Sequence, residues 1–286
     1  MRWWDGLVAT EGRSSGGWAD DHNARRYNAY ARRYPMYRQT SRILVTLARL
    51  PGSSVVLDLA CGTGVTTEEV LAALGPEGRV IGVDRSAAML GIAAAAIADP
   101  RVTWIQALAE TVDRTLRSHV DAVVCNSAIW QTNFAATFAA VGSVLAAGGR
   151  FAFNWPAVFL DRGTASGSSD GQSSLTGVMR AIAAQEYGWT LPDISTPVRA
   201  RPRPSSEFIC GCLSAAGFDV ELVEQHTYED SAESRRAWLS IPIFTQHHLP
   251  GLPYEDRLRV LEKACERLGP AENVVEEWLA FAAIAT

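Results

Sequence analysis

The chain has 286 residues, of which 48% are apolar, and carries a formal net charge of −5 at pH 7. This length and apolar content predict one large folded domain with insertions and exclude a disordered or fibrous chain. The acidic balance gives no reason to expect a polyanionic partner, and no apolar run is long enough to span a membrane. Five scattered cysteines and a start without a signal-peptide pattern indicate a cytoplasmic protein with free thiols.

The first fifty residues predict an arm followed by a helical cap. Met1–Gly17 is rich in glycine and serine, and Trp18–Leu50 has a helical pattern that Pro35 interrupts. Tyr27 and Tyr34 lie seven positions apart and share a helix face, where they either pack into the core or line a site. The arginines of this segment favour a solvated basic face over a nucleic-acid contact: Arg25, Arg26, Arg32 and Arg33.

Hydroxyl side chains ahead of helical segments predict two N-caps. Thr40 or Ser41 is expected to cap a helix over Arg42–Leu50. Ser86 is expected to cap a helix over Ala87–Ile97, which Asp-Pro then ends.

Between these helices, a strand, a glycine turn and a helix follow one another. Val55–Leu59 predicts a buried strand, and Gly62 and Gly64 permit a tight turn with close approach of a ligand to the backbone. From Thr66 the pattern becomes helical, with Thr66 or Thr67 as the expected cap and two glutamates near the positive end of the helix. This order predicts a nucleotide site at the carboxyl end of the first strand of a doubly wound sheet.

The details of the pattern separate this site from the common phosphate-binding ones. Asp58 lies inside the strand, the third glycine of the dinucleotide fingerprint is missing, and no Lys-Ser/Thr pair of a P-loop follows. About twenty residues after the turn, Val80–Asp84 predicts a second strand ending in an acid that can accept hydrogen bonds from both ribose hydroxyls. A ligand with a ribose but no phosphate fits both features.

These motifs resemble those of the class I S-adenosylmethionine-dependent methyltransferases. L-D-L-A-C-G-T-G is similar to their first motif, and V-I-G-V-D-R-S-A-A-M-L to their second-strand acid and the helix after it. Val102–Glu110, Val120–Asn126 and Leu145–Phe153 resemble their third, fourth and fifth strands in the same order. The resemblance implies an α/β fold: a Rossmann-like doubly wound seven-stranded sheet whose last strand, Val274–Ile284, is antiparallel between the fifth and sixth.

The resemblance also implies helical lid insertions after strands 5 and 6. The expected organisation is an N-terminal arm and helical cap (1–50), a cofactor-binding core (51–155), a lid insertion (156–204), a core helix with strand 6 (205–229), a second helical insertion (230–272) and strand 7 (273–286). The first insertion contains the Gly/Ser tract Gly163–Ser174 and a predicted helix over Leu175–Tyr187. A monomer or a homodimer is expected.

Motif positions imply which residues hold S-adenosylmethionine and its product S-adenosylhomocysteine. By the resemblance, the cofactor-binding residues are Asp58, Ala60, Gly62 and Gly64 at the methionine end, Asp84 at the ribose, Arg85, Met89, Leu108 and Ala109 around adenine, Asn126 near the sulfonium, and Tyr27 and Tyr34 from the covering helix. No cluster has metal-ligand spacing, so no metal is expected.

The acceptor is less well determined than the donor. Methyl transfer requires a general base only if the acceptor must lose a proton, and the base candidates are Tyr27, His22, Glu186, His226 and His247, with His248 beside the last. An aromatic pocket, and hence a small, largely apolar or aromatic acceptor of the secondary-metabolite type, is suggested by Trp3, Trp4, Trp18, Trp130, Trp155, Trp189 and Trp238. The methylated atom is O, C or N. A protein or RNA methyltransferase and a non-catalytic module that binds the cofactor are the alternatives.

Overall fold

The structure is a computed structural model that describes residues 17–52, 54–161, 175–191, 203–269 and 274–286. The chain divides into two compact units. The core unit comprises Ala31–Asp161, Arg203–Tyr228 and Glu276–Thr286. The helical unit comprises the described parts of Met1–Tyr30, Arg162–Pro202 and Glu229–Val275. Among the described residues, no helix combines the length and the apolar character needed to cross a membrane.

The core unit is built on a seven-stranded sheet with the order β3-β2-β1-β4-β5-β7-β6. Strands β1 to β5 pair in parallel, and β7 pairs with β5 antiparallel, with Phe153 opposite Phe281. The predicted fold class is therefore confirmed, including the antiparallel last strand between the fifth and the sixth. The strands are β1 (Val55–Leu59), β2 (Arg79–Asp84), β3 (Val102–Gln106), β4 (Val120–Cys125), β5 (Leu145–Pro156), β6 (Phe218–Asp230) and β7 (Val274–Ala285).

Helices follow the strands of the core unit and separate them along the chain. Helix α1 (Asp21–Arg33) begins in the helical unit and ends in the core unit. The other helices of the core unit are α2 (Met36–Ala48), α3 (Val65–Ala73), α4 (Ala87–Ala96), α5 (Val112–Thr115), α6 (Phe134–Val144) and α8 (Ser206–Ala215). The helical unit contains α7 (Leu175–Tyr187), α9 (Ala232–Leu239), α10 (Pro242–His248) and α11 (Tyr254–Leu268).

Apolar side chains cover both faces of the sheet because its central strands are buried on both sides. One cluster includes Phe138, Phe151 and Phe153, and Phe153 stacks on Phe281 with 4.8 Å between the ring centroids. A second cluster includes Leu44 of α2. Each fully buried side chain of this size contributes about 1.5–3 kcal/mol of transfer free energy, so the sheet holds its strand ends firmly in place.

One strand of the core depends on a residue without a side chain. Gly82 of β2 lies opposite Trp104 of β3. A β-carbon at position 82 would lie 2.4 Å from two ring carbons of Trp104. A side chain at position 82 would therefore collide with the indole ring of Trp104, so this ring position requires glycine.

The helical unit has an apolar core of its own. Met179 and Ile182 of α7 share it with Val260 and Leu261 of α11, as expected for apolar residues spaced along facing helices. Trp189 adds a hydrogen bond from its indole nitrogen to the carbonyl of Pro250 at 3.0 Å. The Gly/Ser tract predicted for this insertion, Gly163–Ser174, lies outside the described residues.

Two helix starts differ from those predicted. Helix α2 begins at Met36 rather than Arg42, and Thr40 and Ser41 lie inside it, both donating hydroxyl hydrogen bonds to the carbonyl of Tyr37. Pro35 precedes Met36 with helical backbone angles, since its ring already fixes φ for a helix. Hydroxyl residues can bond back to the preceding turn, so they do not mark a helix start by themselves.

Helix α3 begins at Val65, directly after Gly64, whose φ is +88°. The predicted caps Thr66 and Thr67 are helical residues instead, and Thr67 uses its hydroxyl on Asp58 of β1. The predicted cap of α4 is confirmed, because the Ser86 hydroxyl accepts a hydrogen bond from the Met89 N–H at 3.2 Å.

Candidate functional site

The turn after β1 is a left-handed loop tied to the neighbouring strand. Gly62 and Gly64 have φ values of +55° and +88°, and Ala60 has φ +56°. The Cys61 N–H donates to the Val83 carbonyl at 2.9 Å. Left-handed backbone costs a non-glycine residue about 1–2 kcal/mol, so Ala60 is strained at the point where the motif implies a ligand. Such strain concentrates at functional sites.

The carboxylate of Asp84, at the end of β2, holds the glycine turn in place through hydrogen bonds to backbone N–H groups. Its Oδ2 accepts a hydrogen bond from the Gly62 N–H at 2.9 Å, and its Oδ1 accepts one from the Ser86 N–H at 2.8 Å. Burial raises the pKa of Asp84, although these backbone donors oppose the shift. Each carboxylate oxygen has a further lone pair. The predicted ribose contact is therefore compatible with both backbone bonds.

Asp58 is buried inside β1 with one of its oxygens unused. Its Oδ2 accepts a 2.6 Å hydrogen bond from the Thr67 hydroxyl, whereas its Oδ1 has no partner among the described residues. The pKa of Asp58 is raised to about 7, mainly by burial and also by the charge of Asp84, against the lowering effect of the Thr67 hydrogen bond. A buried acceptor without a donor is costly. A cationic or N–H-bearing ligand would satisfy it, so the residues fit the amine end of S-adenosylmethionine.

The end of β4 is held by a network of side-chain amides. Asn126 donates through Nδ2 to the Ser41 hydroxyl at 2.9 Å and to the Tyr37 carbonyl at 3.1 Å. Its Oδ1 accepts from Nδ2 of Asn154 at 2.6 Å, and Asn154 in turn accepts from the Ser127 N–H at 2.6 Å. Both N–H groups of Asn126 are thus used inside the protein. Its predicted contact with the cofactor stays a prediction, while its role in fixing the loop is visible.

The residues predicted around adenine follow β2 and β3. The Ala107 N–H donates to the Asp84 carbonyl at 3.1 Å, which brings the loop after β3 beside the end of β2. Leu108 is 49% exposed, and Ala109 starts a short 3-10 helix. Met89 is buried in α4. Arg85 is exposed, and its backbone carbonyl accepts a hydrogen bond from the side-chain amide of Gln106 at 3.0 Å. An exposed leucine here offers an apolar surface to a flat ring.

The two tyrosines predicted at the cofactor have separate surroundings. Tyr27 belongs to the helical unit, where Trp18 meets its ring edge-on at 5.5 Å. Tyr34 belongs to the core unit, where the guanidinium of Arg33 lies over its ring at 5.4 Å. Their assignment to the cofactor stays a prediction.

Each base candidate has a described partner of its own. Glu186 forms an exposed ion pair with Lys263 at 2.5 Å. His22 packs edge-on against Tyr254 with ring centroids 4.9 Å apart, and His226 on β6 lies 3.5 Å from a carboxylate oxygen of Glu224.

The paired histidines occupy different environments. His248 is buried, and its Nδ1 lies 3.0 Å from the hydroxyl of Thr176. Burial, aided by the charges of His247, Arg180 and Arg235, lowers the pKa of His248 to about 3. His247 is half-buried beside it. The role of His247 as a base stays a prediction.

Most of the tryptophans are already engaged in packing. Trp155 is buried in the core, and Trp130 stacks on Phe159 with ring centroids 3.9 Å apart. In the helical unit, Trp238 stacks on Phe244 at 3.7 Å. The predicted contributions of Trp3 and Trp4 lie outside the described residues. The aromatic acceptor pocket therefore stays a prediction.

Sequence reasoning missed three residues that shape this site: Thr67, Asn154 and Arg32. Thr67 was read as a cap, and Asn154 is a single polar residue at the end of an apolar strand, which is a usable signal. Arg32 pairs with Glu68 and donates to the Thr63 carbonyl at 3.3 Å. The predicted solvated basic face is therefore wrong for Arg32, because an acid on α3 neutralises it.

The described residues contain no group of histidine, cysteine and acidic side chains that could hold a metal ion. A surface groove of about 430 Å³ lies at the opposite, amino-terminal edge of the sheet, lined by Arg49, Ser54, Asp121, Gly148 and Arg150 among others. It is separate from the glycine turn, which follows the carboxyl end of β1.

Comparisons with known proteins agree with this geometry. Residues 56–149 match the methyltransferase domain family. Over 74 residues the chain is 34% identical to the 2-phytyl-1,4-naphtoquinone methyltransferase of Thermosynechococcus vestitus, which is 26% of this chain and 33% of that protein. The chain thus spans about a third of the curated relative that it matches.

Solved structures share the fold at low sequence identity. The phosphoethanolamine N-methyltransferase 2 of Haemonchus contortus, in complex with phosphomonomethylethanolamine and S-adenosylhomocysteine, has a TM-score of 0.54 and 16% identity over 100% of this chain and 60% of its own. The cyclopropane synthase MmaA2 of Mycobacterium tuberculosis has a TM-score of 0.52 and 15% identity over 86% of this chain and 83% of its own. In its matched domain, its sheet order and its glycine turn between two buried acids, the core unit is similar to the class I S-adenosylmethionine-dependent methyltransferases.

Proposed function

We propose that the protein transfers the methyl group of S-adenosylmethionine to an oxygen, carbon or nitrogen atom of a small, largely apolar or aromatic acceptor. The use of S-adenosylmethionine as the methyl donor is supported by one observation, the pair of buried acids Asp58 and Asp84 near the carboxyl ends of adjacent strands. Neither forms an ion pair among the described residues, so the positive charge they require would come with the ligand.

Each predicted cofactor residue around the glycine turn has a physical task in this proposal. Asp58 offers its unused Oδ1 to the amine of the donor, and Asp84 offers its remaining lone pairs to the ribose. Gly62 and Gly64 let the backbone approach, and Leu108 supplies apolar surface for adenine. Ala60 is proposed to contact the methionine end of the donor, and Arg85 is proposed to flank its adenine.

The chemistry requires alignment and exclusion of water more than proton transfer. When bound, S-adenosylmethionine supplies an activated methyl group that a nucleophile displaces in line. The protein then holds the acceptor within reach and strips water from it, and both effects lower the barrier. The aromatic residues of the chain support an apolar acceptor, and we include in the proposal that the helical insertions serve as a substrate lid.

Calorimetric titration of the full chain with S-adenosylmethionine, S-adenosylhomocysteine and NAD tests the donor half. We expect both adenosyl ligands to bind and NAD to show no heat of binding. A screen with labelled S-adenosylmethionine and small aromatic and quinone-like acceptors tests the acceptor half. Binding without any turnover, or methylation of folded protein or RNA alone, would replace the proposal with one of the two alternatives named from the sequence.

A further inference from the structure

One arginine of the helical unit is buried without a carboxylate partner among the described residues, although such a residue normally has one. Arg257 lies in α11, and only 7% of its surface is exposed. Its Nη1 donates to the Pro242 carbonyl at 3.1 Å, and its guanidinium lies over the ring of Tyr254 at 5.4 Å. Its Nε is enclosed and has no acceptor among the described residues. A carbonyl and a ring are thus its described partners.

The acids and hydroxyls nearby are committed elsewhere. Asp256, next to it in sequence, accepts a hydrogen bond from Arg259 at 2.8 Å. The Tyr254 hydroxyl donates to the Ser240 carbonyl at 2.8 Å, and burial raises the pKa of Tyr254, so this ring stays neutral. Among the described residues, no carboxylate pairs with Arg257.

The energetic consequence is large enough to require an explanation. A guanidinium remains protonated in proteins. An ion buried without a counter-charge costs several kcal/mol, which is why buried arginines are normally paired. The planar fork of donors on arginine matches the two oxygens of a carboxylate. Arg257 is therefore a buried cation with an unused donor at Nε, and the natural partner of such a group is a monoanion.

We propose that Arg257 is the anchor of a binding site for the carboxylate of a small aromatic acid. That this acid is the methyl acceptor rests on the proposed function, whereas the binding site itself does not. A single guanidinium balances one negative charge, which favours a carboxylate over a phosphate dianion.

The surroundings of Arg257 favour a flat ring on the same ligand. Tyr254 lies against the guanidinium, and the ring of His22 meets Tyr254 edge-on. Pro242, whose carbonyl Arg257 binds, begins α10, and Phe244 in the same turn of that helix stacks on Trp238. Aromatic side chains of this kind pack well against an aromatic ligand, at ring separations of about 4.5–7 Å.

Titration of the full chain with benzoate and benzamide, followed by ligand-observed NMR, tests the site. The two probes have nearly the same shape and differ in charge. We expect wild type to bind benzoate about 10- to 100-fold more tightly than benzamide, because a hydrogen bond to a charged group contributes about 1.5–3 kcal/mol. Arg257→Met should remove this preference, and Arg259→Met, an exposed arginine two positions away, should keep it.

Several outcomes would overturn the proposal. These are equal binding of benzamide and benzoate, no benzoate binding by wild type, or an unchanged preference in Arg257→Met. Inorganic phosphate competing as strongly as benzoate would overturn the carboxylate assignment. Should Arg257→Met fail to fold, Arg257→Lys keeps the charge without the planar fork, and a benzoate preference as strong as that of wild type would count against the proposal.

Calorimetry with S-adenosylhomocysteine on the same preparations separates this proposal from the proposed function. If S-adenosylhomocysteine binds and the benzoate preference is missing, only the Arg257 site is overturned. If benzoate binds through Arg257 and S-adenosylhomocysteine does not bind, only the methyltransferase proposal is overturned.

Discussion

The two units bury different sets of charged side chains. The core unit encloses two carboxylates, Asp58 and Asp84, whereas the helical unit encloses the guanidinium of Arg257 together with one carboxylate, Asp230. Neither set is balanced by an ion pair among the described residues. Because an unbalanced buried charge destabilises a fold, each unit shows what kind of ligand would stabilise it. In the two proposals, the acids of the core unit suit a cationic donor and Arg257 suits a carboxylate ligand.

The largest effect expected from this comparison is the pH dependence of stability caused by Asp58. Its pKa is raised from 3.8 to about 7 in the folded protein, so the folded state holds a proton that the unfolded state loses. The resulting stabilisation is present below pH 4 and is lost as the pH rises through 7. From the pKa shift it amounts to at most about 4 kcal/mol.

Urea unfolding of ligand-free protein at several pH values measures this effect. We expect the free energy of unfolding to fall between about pH 4 and pH 7 and the slope to be shallower in Asp58→Asn. Over the same pH range the affinity for S-adenosylmethionine should rise, because the ionised carboxylate of Asp58 binds the cationic donor. Identical slopes in wild type and Asp58→Asn would contradict the assigned pKa shift.

The second effect concerns the acid of the other strand. In Asp84→Asn the amide has a single acceptor oxygen and no charge, so the affinity for S-adenosylmethionine should fall about 10- to 100-fold. Calorimetry measures the affinity, and circular dichroism checks that the variant is folded. Asp121→Asn is the matched control, since Asp121 lies in the same sheet and accepts the Val55 N–H at 2.7 Å near its opposite edge. Wild-type affinity in Asp84→Asn would refute the ribose assignment.

A smaller effect is expected for the amide network at the end of β4. Asn154→Ala removes the acceptor of the Ser127 N–H and the donor to Asn126, so it should lower the free energy of unfolding by about 1–3 kcal/mol. The affinity for S-adenosylhomocysteine should fall less than in Asp84→Asn. Urea unfolding provides the measurement, with Ser143→Ala, an exposed helix residue, as a neutral control. A variant as stable as wild type would show that the network does not fix the loop.

The smallest effect is expected on the surface of the helical unit. Glu186→Gln breaks the exposed ion pair with Lys263, and such pairs contribute about 0–1 kcal/mol. Thermal unfolding should therefore change little, and added salt should remove even that difference. Once an acceptor is known, the same variant tests whether Glu186 acts as the general base. A large loss of turnover in Glu186→Gln would support that role.

The sequence by itself determined most of the core unit. The central strands and the glycine turns have strong local signals, because burial on both faces and left-handed backbone restrict which residues can occupy them. Asp58, Gly62, Gly64 and Asp84 were therefore placed on their elements from spacing alone. The antiparallel last strand was expected from the resemblance, and the strand pairing confirmed it.

Only the tertiary structure decided which partner each polar side chain takes. Thr67 was expected to cap a helix and instead bonds Asp58, and Asn126 uses its amide on α2 and β5. Within the described part of the chain, the burial of Arg257 without a counter-charge depends on its surroundings, which residues distant in sequence create. Local propensity acts over a few residues, whereas hydrogen bonds and burial depend on segments that meet only in the folded chain.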